Sequence, residues 1–132
     1  MARIFVDTSA IYALLDRSDR NHRAAATILE ALTVRRAQPL VTNFVVAETH
    51  GLLVARLGPD IARRWLFGNV WAVERVMVKD EDHAREILRG YEDKRFSYTD
   101  ATSFAVMERL RLTEAFSFDR HFAQYGFQLL AA

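Results

Sequence analysis

Apolar and polar positions along the chain follow the spacings of strands and helices that alternate with each other. Short apolar runs indicate strands at residues 4–6, 39–42, 75–78, 115–118 and 127–130. Apolar residues three and four positions apart predict helices at residues 10–16, 25–36, 43–57, 60–71, 80–91 and 100–110, and a short helix at 121–125. This order predicts an α/β fold with a mostly parallel sheet that helices cover on both faces.

Two of the predicted strands lead into a carboxylate. The first strand is followed by Asp7, Thr8 and Ser9, and the fourth runs into Asp119. Ligands bind at the carboxyl ends of the strands in an open parallel sheet, so these residues are candidates for a functional site. The alternative is that Asp7, Thr8 or Ser9 only caps the first helix, because all three residue types accept hydrogen bonds from free backbone N–H groups.

Two further acidic residues lie on helix faces that the spacing predicts to be buried. Glu48 shares a face with Val45 and Leu52, and Asp100 leads a face that continues through Met107. A carboxylate on a buried face costs free energy unless it is paired, hydrogen-bonded or bound to a cation. Because both residues lie near helix starts, they can meet the strand-end carboxylates at one edge of the sheet.

Several polar residues have a simpler interpretation as helix caps. The acidic residues 80–82 lie in the first turn of a helix, where the helix dipole favours negative charge. Thr99 is the expected cap of the helix that begins at Asp100. Gly58 and Pro59 are expected to separate two helices, since Gly is favoured after one helix and Pro at the start of the next.

Composition limits the possible classes of protein. The 132 residues contain no Cys, carry a formal net charge of +1 and include no apolar run long enough to span a membrane. We therefore expect one soluble domain over residues 1–132, with no export signal, no membrane partner and a cytoplasmic location. Disulfides and thiolate metal sites are excluded.

The basic residues are mostly arginines that fall in clusters, although the net charge is close to zero. Of 18 basic residues, 16 are Arg, and the clusters are Arg17, Arg20 and Arg23; Arg35 and Arg36; and Arg56, Arg63 and Arg64. The planar guanidinium suits phosphate oxygens, so these clusters are compatible with a phosphate-bearing partner. They are equally compatible with solvated helix faces.

The acidic residues at the predicted sheet edge favour a metal site. Carboxylates gathered in a partly desolvated cleft repel one another, and a hard divalent cation would neutralise them. Carboxylate oxygens suit Mg²⁺ or Mn²⁺, whereas zinc sites usually include His or Cys. The four His residues have no metal-ligand spacing, and His121 is expected to be a surface or helix-capping residue.

Four segments resemble the PIN domain, and more narrowly the VapC-type toxins of toxin–antitoxin pairs. The segments are IFVDTSA at 4–10, TNFVVAE at 42–48, SYTDATS at 97–103 and FSFDRHF at 116–122. The resemblance implies a three-layer αβα fold with a five-stranded parallel sheet in the order 3-2-1-4-5, cleavage of RNA that depends on Mg²⁺ or Mn²⁺, and frequent homodimers. The family's acidic positions correspond to Asp7, Glu48, Asp100 and Asp119. Asp93 also resembles an acidic position of the family and is assigned a structural role.

The resemblance also implies a mechanism and a partner. Asp7 and Asp100 would bind the metal directly, with Glu48 and Asp119 completing the site through waters, while Thr8 or Ser9 would hold a phosphate oxygen or orient Asp7. The expected partner is an antitoxin. It would lay an apolar helix against the aromatic segment that contains Trp65, Phe67 and Trp71, and bring a basic side chain toward the carboxylates.

Two functions other than metal-dependent hydrolysis are also compatible with an Asp at a strand end or with a PIN-like fold. Aspartyl-phosphate chemistry also uses an Asp at a strand end, but the phosphatase type needs a second Asp at the position that Ser9 occupies. A PIN-like module that only binds RNA or protein would be expected to have an incomplete acidic set. Because all four acidic positions are present, the sequence favours catalysis.

Overall fold

The computed structural model of the protein describes residues 2–132. Its five strands are β1 (Arg3–Val6), β2 (Gln38–Thr42), β3 (Ala72–Glu74), β4 (Glu114–Phe116) and β5 (Gln128–Leu129). Its seven helices are α1 (Thr8–Leu15), α2 (His22–Val34), α3 (Asn43–Leu57), α4 (Pro59–Gly68), α5 (Val78–Gly90), α6 (Tyr98–Leu110) and α7 (His121–Tyr125). Within this part of the chain, none of the helices is both long enough and apolar enough to cross a membrane.

The sheet has the topology that the resemblance implies. All strand pairs are parallel and the order is β3-β2-β1-β4-β5. Connections from β1 to β2 and from β2 to β3 move toward one edge, and the later connections move toward the other. Because such crossovers are right-handed, α1 to α4 cover one face and α5 to α7 cover the other, which gives the predicted three layers. The strand order reverses between β1 and β4, where ligands bind in open α/β sheets.

The central strand, β1, lies in the hydrophobic core. Ile4, Phe5 and Val6 are fully buried between β2 and β4. On the face covered by α6 and α7, Phe104 contacts Phe122 edge-on with ring centroids 5.0 Å apart. Each fully buried apolar side chain of this size stabilises the fold by about 1.5–3 kcal/mol. The residue that follows β1 is therefore presented from a rigid strand.

The third strand lies earlier in the chain than the apolar pattern predicted. It was expected at residues 75–78 but occupies Ala72–Glu74, because α4 ends at Gly68 and α5 begins at Val78. The start of α5 is set by the Asp80 carboxylate, which accepts the backbone N–H of Met77 over 2.8 Å. The apolar residues in the predicted strand thus belong partly to a loop and partly to a helix start.

Asp80 caps α5 as predicted, but it also belongs to an ion-pair network that the sequence did not reveal. Arg109 of α6 donates to both Asp80 oxygens and to Glu74 of β3, the latter over 3.0 Å. Burial by itself raises the pKa of Asp80, but hydrogen bonds from Arg109 and from the Met77 backbone outweigh it and hold that pKa below its ordinary value. The network ties the edge strand β3 to α5 and α6.

Of two other local predictions, the one for the junction between α3 and α4 is confirmed and the one for the cap of α6 is wrong. Gly58 has a φ of +96° and Pro59 begins α4, as predicted. The cap of α6 is Ser97 and not Thr99, so the helix begins at Tyr98. Ser97 is the better cap because its hydroxyl accepts the Asp100 N–H while the Asp100 carboxylate accepts the Ser97 N–H, which satisfies two free donors at once.

The prediction that Glu48 lies on a buried face is wrong. The buried residues of α3 are Val45, Thr49 and Leu53, whereas Glu48 is exposed. The stripe that contacts the sheet runs through positions four residues apart, so Glu48 lies beside it rather than within it. Its carboxylate therefore remains in contact with solvent at the rim of a cleft.

Candidate active site

A cleft of about 420 Å³ lies at the carboxyl ends of β1 and β4. Its lining includes every site residue singled out in the sequence, namely Asp7, Thr8, Ser9, Glu48, Asp100 and Asp119. The residues come from two strand ends, from the first turns of α1 and α6 and from the second turn of α3. The convergence expected from the parallel sheet is therefore present in the structure.

Asp7 lies at the bottom of the cleft and is buried. It is the N-cap of α1, as the capping interpretation predicted, and its Oδ2 accepts hydrogen bonds from Ser9 Oγ at 2.8 Å and from Ser117 Oγ at 3.0 Å. Burial, with a smaller contribution from the charges of Asp100 and Glu48, raises the pKa of Asp7 to about 6, although the two hydroxyl hydrogen bonds oppose the increase. Asp7 is thus both a helix cap and a carboxylate in an environment that opposes its ionisation.

Asp100 faces Asp7 from the first turn of α6. Besides capping its own helix, its Oδ2 lies 2.8 Å from Nδ1 of His121. The residue is buried, so the side chain has little freedom to rotate away from the cleft. Its position at the start of a helix also favours a negative charge.

His121 occupies a more central place than the sequence suggested. It was expected on the surface or as a cap, but its Nδ1 contacts both Asp100 and, at 3.2 Å, Oδ1 of Asp119. Asp119 Oδ1 accepts the His121 N–H at 2.9 Å, and the resulting turn folds the imidazole back over the cleft. The sequence signal that could have indicated this is the Asp-x-His spacing directly after a strand.

Ser117 is a site residue that the sequence interpretation did not single out. Its hydroxyl donates to Asp7 and accepts the N–H of Asp119 at 2.9 Å, and it lies 3.2 Å from the hydroxyl of Ser9. Two serines, one after each of the neighbouring strands β1 and β4, therefore meet at Asp7. In the sequence, Ser9 lies two residues after Asp7 and Ser117 lies two residues before Asp119. This spacing is the only feature of the sequence that points to the contact.

Thr8 is placed differently from Ser9. Thr8 is buried, and its hydroxyl accepts a hydrogen bond from Thr49 of α3 at 3.0 Å. Ser9 donates to Asp7 and accepts the backbone N–H of Phe118 at 2.9 Å. The hydroxyls of Thr8 and Ser9 thus connect the elements around the cleft. A direct contact of either residue with substrate stays a prediction.

The arrangement of donors fits a divalent cation. One ligand atom from each of Asp100, Asp119 and His121 lies within 4.8 Å of the others, and Asp7 and Glu48 line the same cleft. Carboxylate oxygens suit hard cations such as Mg²⁺ and Mn²⁺, and an imidazole adds a ligand that transition metals accept readily. A cation would also favour the ionised form of Asp7, whose pKa is raised chiefly by burial and to a smaller extent by the charges of Asp100 and Glu48.

A sequence model of the PIN domain matches residues 4–128. The chain belongs to the PIN-domain family. The match covers both strand ends and both helix starts that carry the acidic residues of the cleft.

Relatives of this PIN-domain chain include two proteins from Mycobacterium tuberculosis. The 23S rRNA-specific endonuclease VapC20 is 34% identical over 127 residues, which cover 94% of this chain and 95% of VapC20. Ribonuclease VapC26 is 29% identical over 125 residues, which cover 91% of this chain and 90% of VapC26. The predicted likeness to VapC-type proteins is confirmed over nearly the whole length.

Solved structures agree with this likeness. The crystal structure of VapC20 from M. tuberculosis, a sarcin-ricin loop cleaving toxin, superimposes with a TM-score of 0.86. The match covers 98% of this chain and 99% of VapC20, at 32% sequence identity. VapBC2 from Rickettsia felis, solved with a DNA fragment of its promoter, matches with a TM-score of 0.75 over 97% of each chain at 11% identity. The second match shows a shared fold alone.

Proposed function

We propose that this PIN-domain protein is a VapC-type ribonuclease that hydrolyses RNA phosphodiester bonds with the help of Mg²⁺ or Mn²⁺. The observation that carries the proposal is the convergence of Asp7, Glu48, Asp100 and Asp119 on one cleft at the strand-order reversal. The similarity to two proteins named as RNA-cleaving enzymes supports the same reaction.

In this proposal each carboxylate has a role in holding the cation. Asp7 and Asp100 would be its direct ligands, because both are buried and fixed by hydrogen bonds. Glu48 and Asp119 lie nearer the rim and complete the site through waters. The Ser9 and Ser117 hydroxyls keep Asp7 oriented.

The cation would polarise the scissile phosphate and lower the pKa of the attacking water. The protein's own contribution is to fix the carboxylates before substrate arrives, so that little reorganisation is needed during the reaction. Attack by water does not use the 2′-hydroxyl of RNA. Preference for RNA would therefore come from how the substrate fits the surface around the cleft.

The test is cleavage of single-stranded RNA by the purified protein with Mg²⁺, with Mn²⁺ and with excess EDTA. We expect activity with either metal and none with EDTA. Asp7→Asn and Asp100→Asn should each lower the rate at least ~100-fold, because each change removes a charge and an oxygen ligand. Activity that persists in EDTA would contradict the proposal.

Asp93→Asn is the matched control for these two variants. The Asp93 side chain is 77% exposed and contacts Lys94 outside the cleft. The same chemical change should therefore leave the rate unchanged. If Asp93→Asn were as inactive as Asp100→Asn, the loss would not be specific to the cleft, and if both cleft variants stayed active, these carboxylates would not hold the catalytic metal. A chain that binds RNA but cleaves it with neither metal would be better described as a non-catalytic RNA-binding module.

We also propose that an antitoxin helix covers an apolar cleft on the layer formed by α1 to α4. This cleft, about 440 Å³, is lined mainly by apolar side chains that include Leu14, Trp65, Val70 and Trp71. Trp65 and Trp71 are half-buried in its wall, while Phe67 nearby is largely exposed. A protein with this fold has been solved as a toxin–antitoxin complex, which supports an antitoxin as the partner. An amphipathic helix is one way in which a partner fills an apolar groove.

The antitoxin proposal can be tested by co-expression with the product of an adjacent small gene, followed by gel filtration. Val70→Asp should weaken the complex, because Val70 is 91% exposed in the free protein and its replacement should not disturb folding. Val34→Asp is the matched control, since Val34 is 79% exposed and lies outside the cleft. Absence of a complex with the unmodified chain, or equal effects of both variants, would contradict it.

A further inference from the structure

A second cleft joins the acidic one. It has a volume of about 580 Å³, within the range of roughly 300–1,000 Å³ that ligand sites occupy. The two clefts share Ser9, Leu52, Asp119 and His121 in their walls. A chain-like substrate with one bond at the carboxylates would therefore extend directly into this second cleft.

Three arginines from separate parts of the chain line the second cleft. Arg20 comes from the loop between α1 and α2, Arg56 from the last turn of α3, and Arg120 from the residue before α7. All three are exposed, and none forms an ion pair with any residue in the range 2–132. Their charges are thus free to meet an external anion.

The acidic groups near the arginines are already engaged. Asp19 lines the cleft, and its carboxylate accepts the N–H of Asn21 over 3.0 Å. Asp16 accepts the Tyr12 hydroxyl and the backbone N–H of Ser18. Asp119, the other carboxylate of the cleft wall, faces the candidate metal site. The second cleft therefore presents three cations beside one engaged carboxylate of its own.

Arg56 is held in place by an aromatic ring. Its guanidinium carbon lies 5.2 Å from the ring centroid of Tyr12, a cation–π distance. The Tyr12 hydroxyl is in turn fixed by Asp16. A guanidinium that is oriented before binding loses less conformational entropy when a phosphate arrives.

The cleft also offers groups that suit bases. Phe118 is a half-buried aromatic side chain in its wall, and Asn21 and Gln124 provide amide groups. Proteins that bind single-stranded nucleic acid combine a positive groove with aromatic side chains on which bases stack. An acidic peptide would use the arginines but would have no need of the aromatic ring.

We propose that this arginine cleft, lined by Arg20, Arg56 and Arg120, binds the RNA strand next to the scissile phosphate through its backbone phosphates. The inference rests on the proposed function and extends it by naming the residues that bind substrate. The acidic cleft holds a single arginine, Arg95, against four carboxylates, so further cations beside it are needed to bring a polyanion such as RNA to the carboxylates. Binding there directs the strand across the acidic residues.

The test measures RNA binding separately from cleavage. A labelled single-stranded RNA of about 12 nucleotides, within the site sizes known for single-strand binders, is titrated with the Asp100→Asn protein at several salt concentrations. In this background Arg20, Arg56 and Arg120 are changed together to Gln, and separately together to Lys. Arg89→Gln is the matched control, because Arg89 is an exposed residue of α5 outside both clefts.

The triple Gln variant should bind at least about tenfold more weakly than the Arg89→Gln control. The slope of log K against log salt should fall by about 2, at roughly 0.7 for each lost phosphate contact to a single strand. The triple Lys variant should keep most of the slope, because Lys also contacts phosphate as a point charge. In active protein the triple Gln variant should raise KM with little change in kcat, since contacts made before and during the reaction are lost equally.

Equal affinity and slope for the triple Gln variant and the control would overturn the inference, as would loss of the slope in the Lys variant. If the cleft binds an acidic peptide and the RNA affinity does not change when the arginines are replaced, the cleft belongs to a protein partner. That result would also overturn the inference. The proposed function can fail separately. If the arginines govern RNA binding but no metal-dependent cleavage occurs, the inference stands and the proposed function does not.

Discussion

Ser117 Oγ donates a 3.0 Å hydrogen bond to Asp7 Oδ2 and so connects the end of β4 to the end of β1. The same hydroxyl accepts the N–H of Asp119. One small side chain thus sets the distance between two carboxylates that are 112 positions apart in the sequence. This contact links the geometry of the site to the pairing of the two central strands.

Ser117→Ala should weaken metal binding about 10–100-fold, the range typical for residues that orient a metal ligand. Loss of this hydrogen bond also removes an interaction that lowers the pKa of Asp7, so Asp7 should be harder to ionise. Titration of Mn²⁺ by electron paramagnetic resonance measures the affinity. Ser18→Ala, a change in the exposed loop after α1, serves as the control, and equal affinities in the two variants would show that Ser117 does not orient the site.

Asp7 should make the metal-free protein less stable as the pH rises from about 4 to about 6. Its pKa is raised from 3.8 to about 6 in the folded protein, so in this range the folded state binds more protons than the unfolded state. The free energy of unfolding therefore falls as the pH rises, and the full penalty is present above about pH 6. Asp7→Asn lacks this group and should be more stable at pH 7 by about 1–3 kcal/mol.

Chemical unfolding of both metal-free proteins at several pH values measures this difference. Adding about 10 mM Mg²⁺ should then raise the Tm of the unmodified protein more than that of Asp7→Asn, because binding to the folded state alone stabilises it. A metal-free Asp7→Asn protein that is less stable at pH 7, with equal Mg²⁺ shifts, would leave Asp7 with a capping role only.

His121 should make the site favour Mn²⁺ over Mg²⁺. Its imidazole contacts Asp100 and Asp119, and imidazole is a better ligand for transition metals than for Mg²⁺. His121→Asn should therefore lower the affinity for Mn²⁺ more than the affinity for Mg²⁺. Competition titrations of the two ions measure the ratio of affinities. His50→Asn is the control, because His50 lies in α3 outside the acidic cleft. An unchanged ratio in His121→Asn would exclude the imidazole from metal selection.

Arg109→Gln should destabilise the protein by about 3 kcal/mol or more, because it leaves the buried Asp80 carboxylate without its ion-pair partner. The pKa of Asp80 is held below its ordinary value, so its contribution is present at neutral pH and is lost only as the pH falls below about 4. Urea unfolding at pH 7 measures the loss. Arg89→Gln, which removes only an exposed pair with Glu86, should change stability by no more than about 0.5 kcal/mol.

The parts of the site that follow strand ends could be predicted from the sequence. Asp7 and Asp119 were located by a general property of parallel sheets, which needs only the order of elements. Asp100 was also placed correctly, because it begins a helix face that is indeed buried. Each of these predictions depended on periodicity and local order along the chain.

The residues that were missed depend on contacts between distant segments. Ser117 and His121 gain their importance from side-chain hydrogen bonds to Asp7 and Asp100, which no local pattern encodes. Glu48 was assigned to a buried face because helical spacing alone does not say which of two adjacent stripes meets the sheet. The ion pair of Asp80 with Arg109 was likewise hidden behind its simpler role as a cap.

The position of β1 between β2 and β4 has a consequence for the order in which the protein is made. In a growing chain Asp7 and Glu48 are made early, but β4 and the carboxylate that follows it are made several seconds later at about 5–20 residues per second. During that time β1 can pair with β2 but not with β4. A chain at the ribosome that still lacks β4 also lacks one wall of the cleft, and it can become active only after β4 and Asp119 have been made.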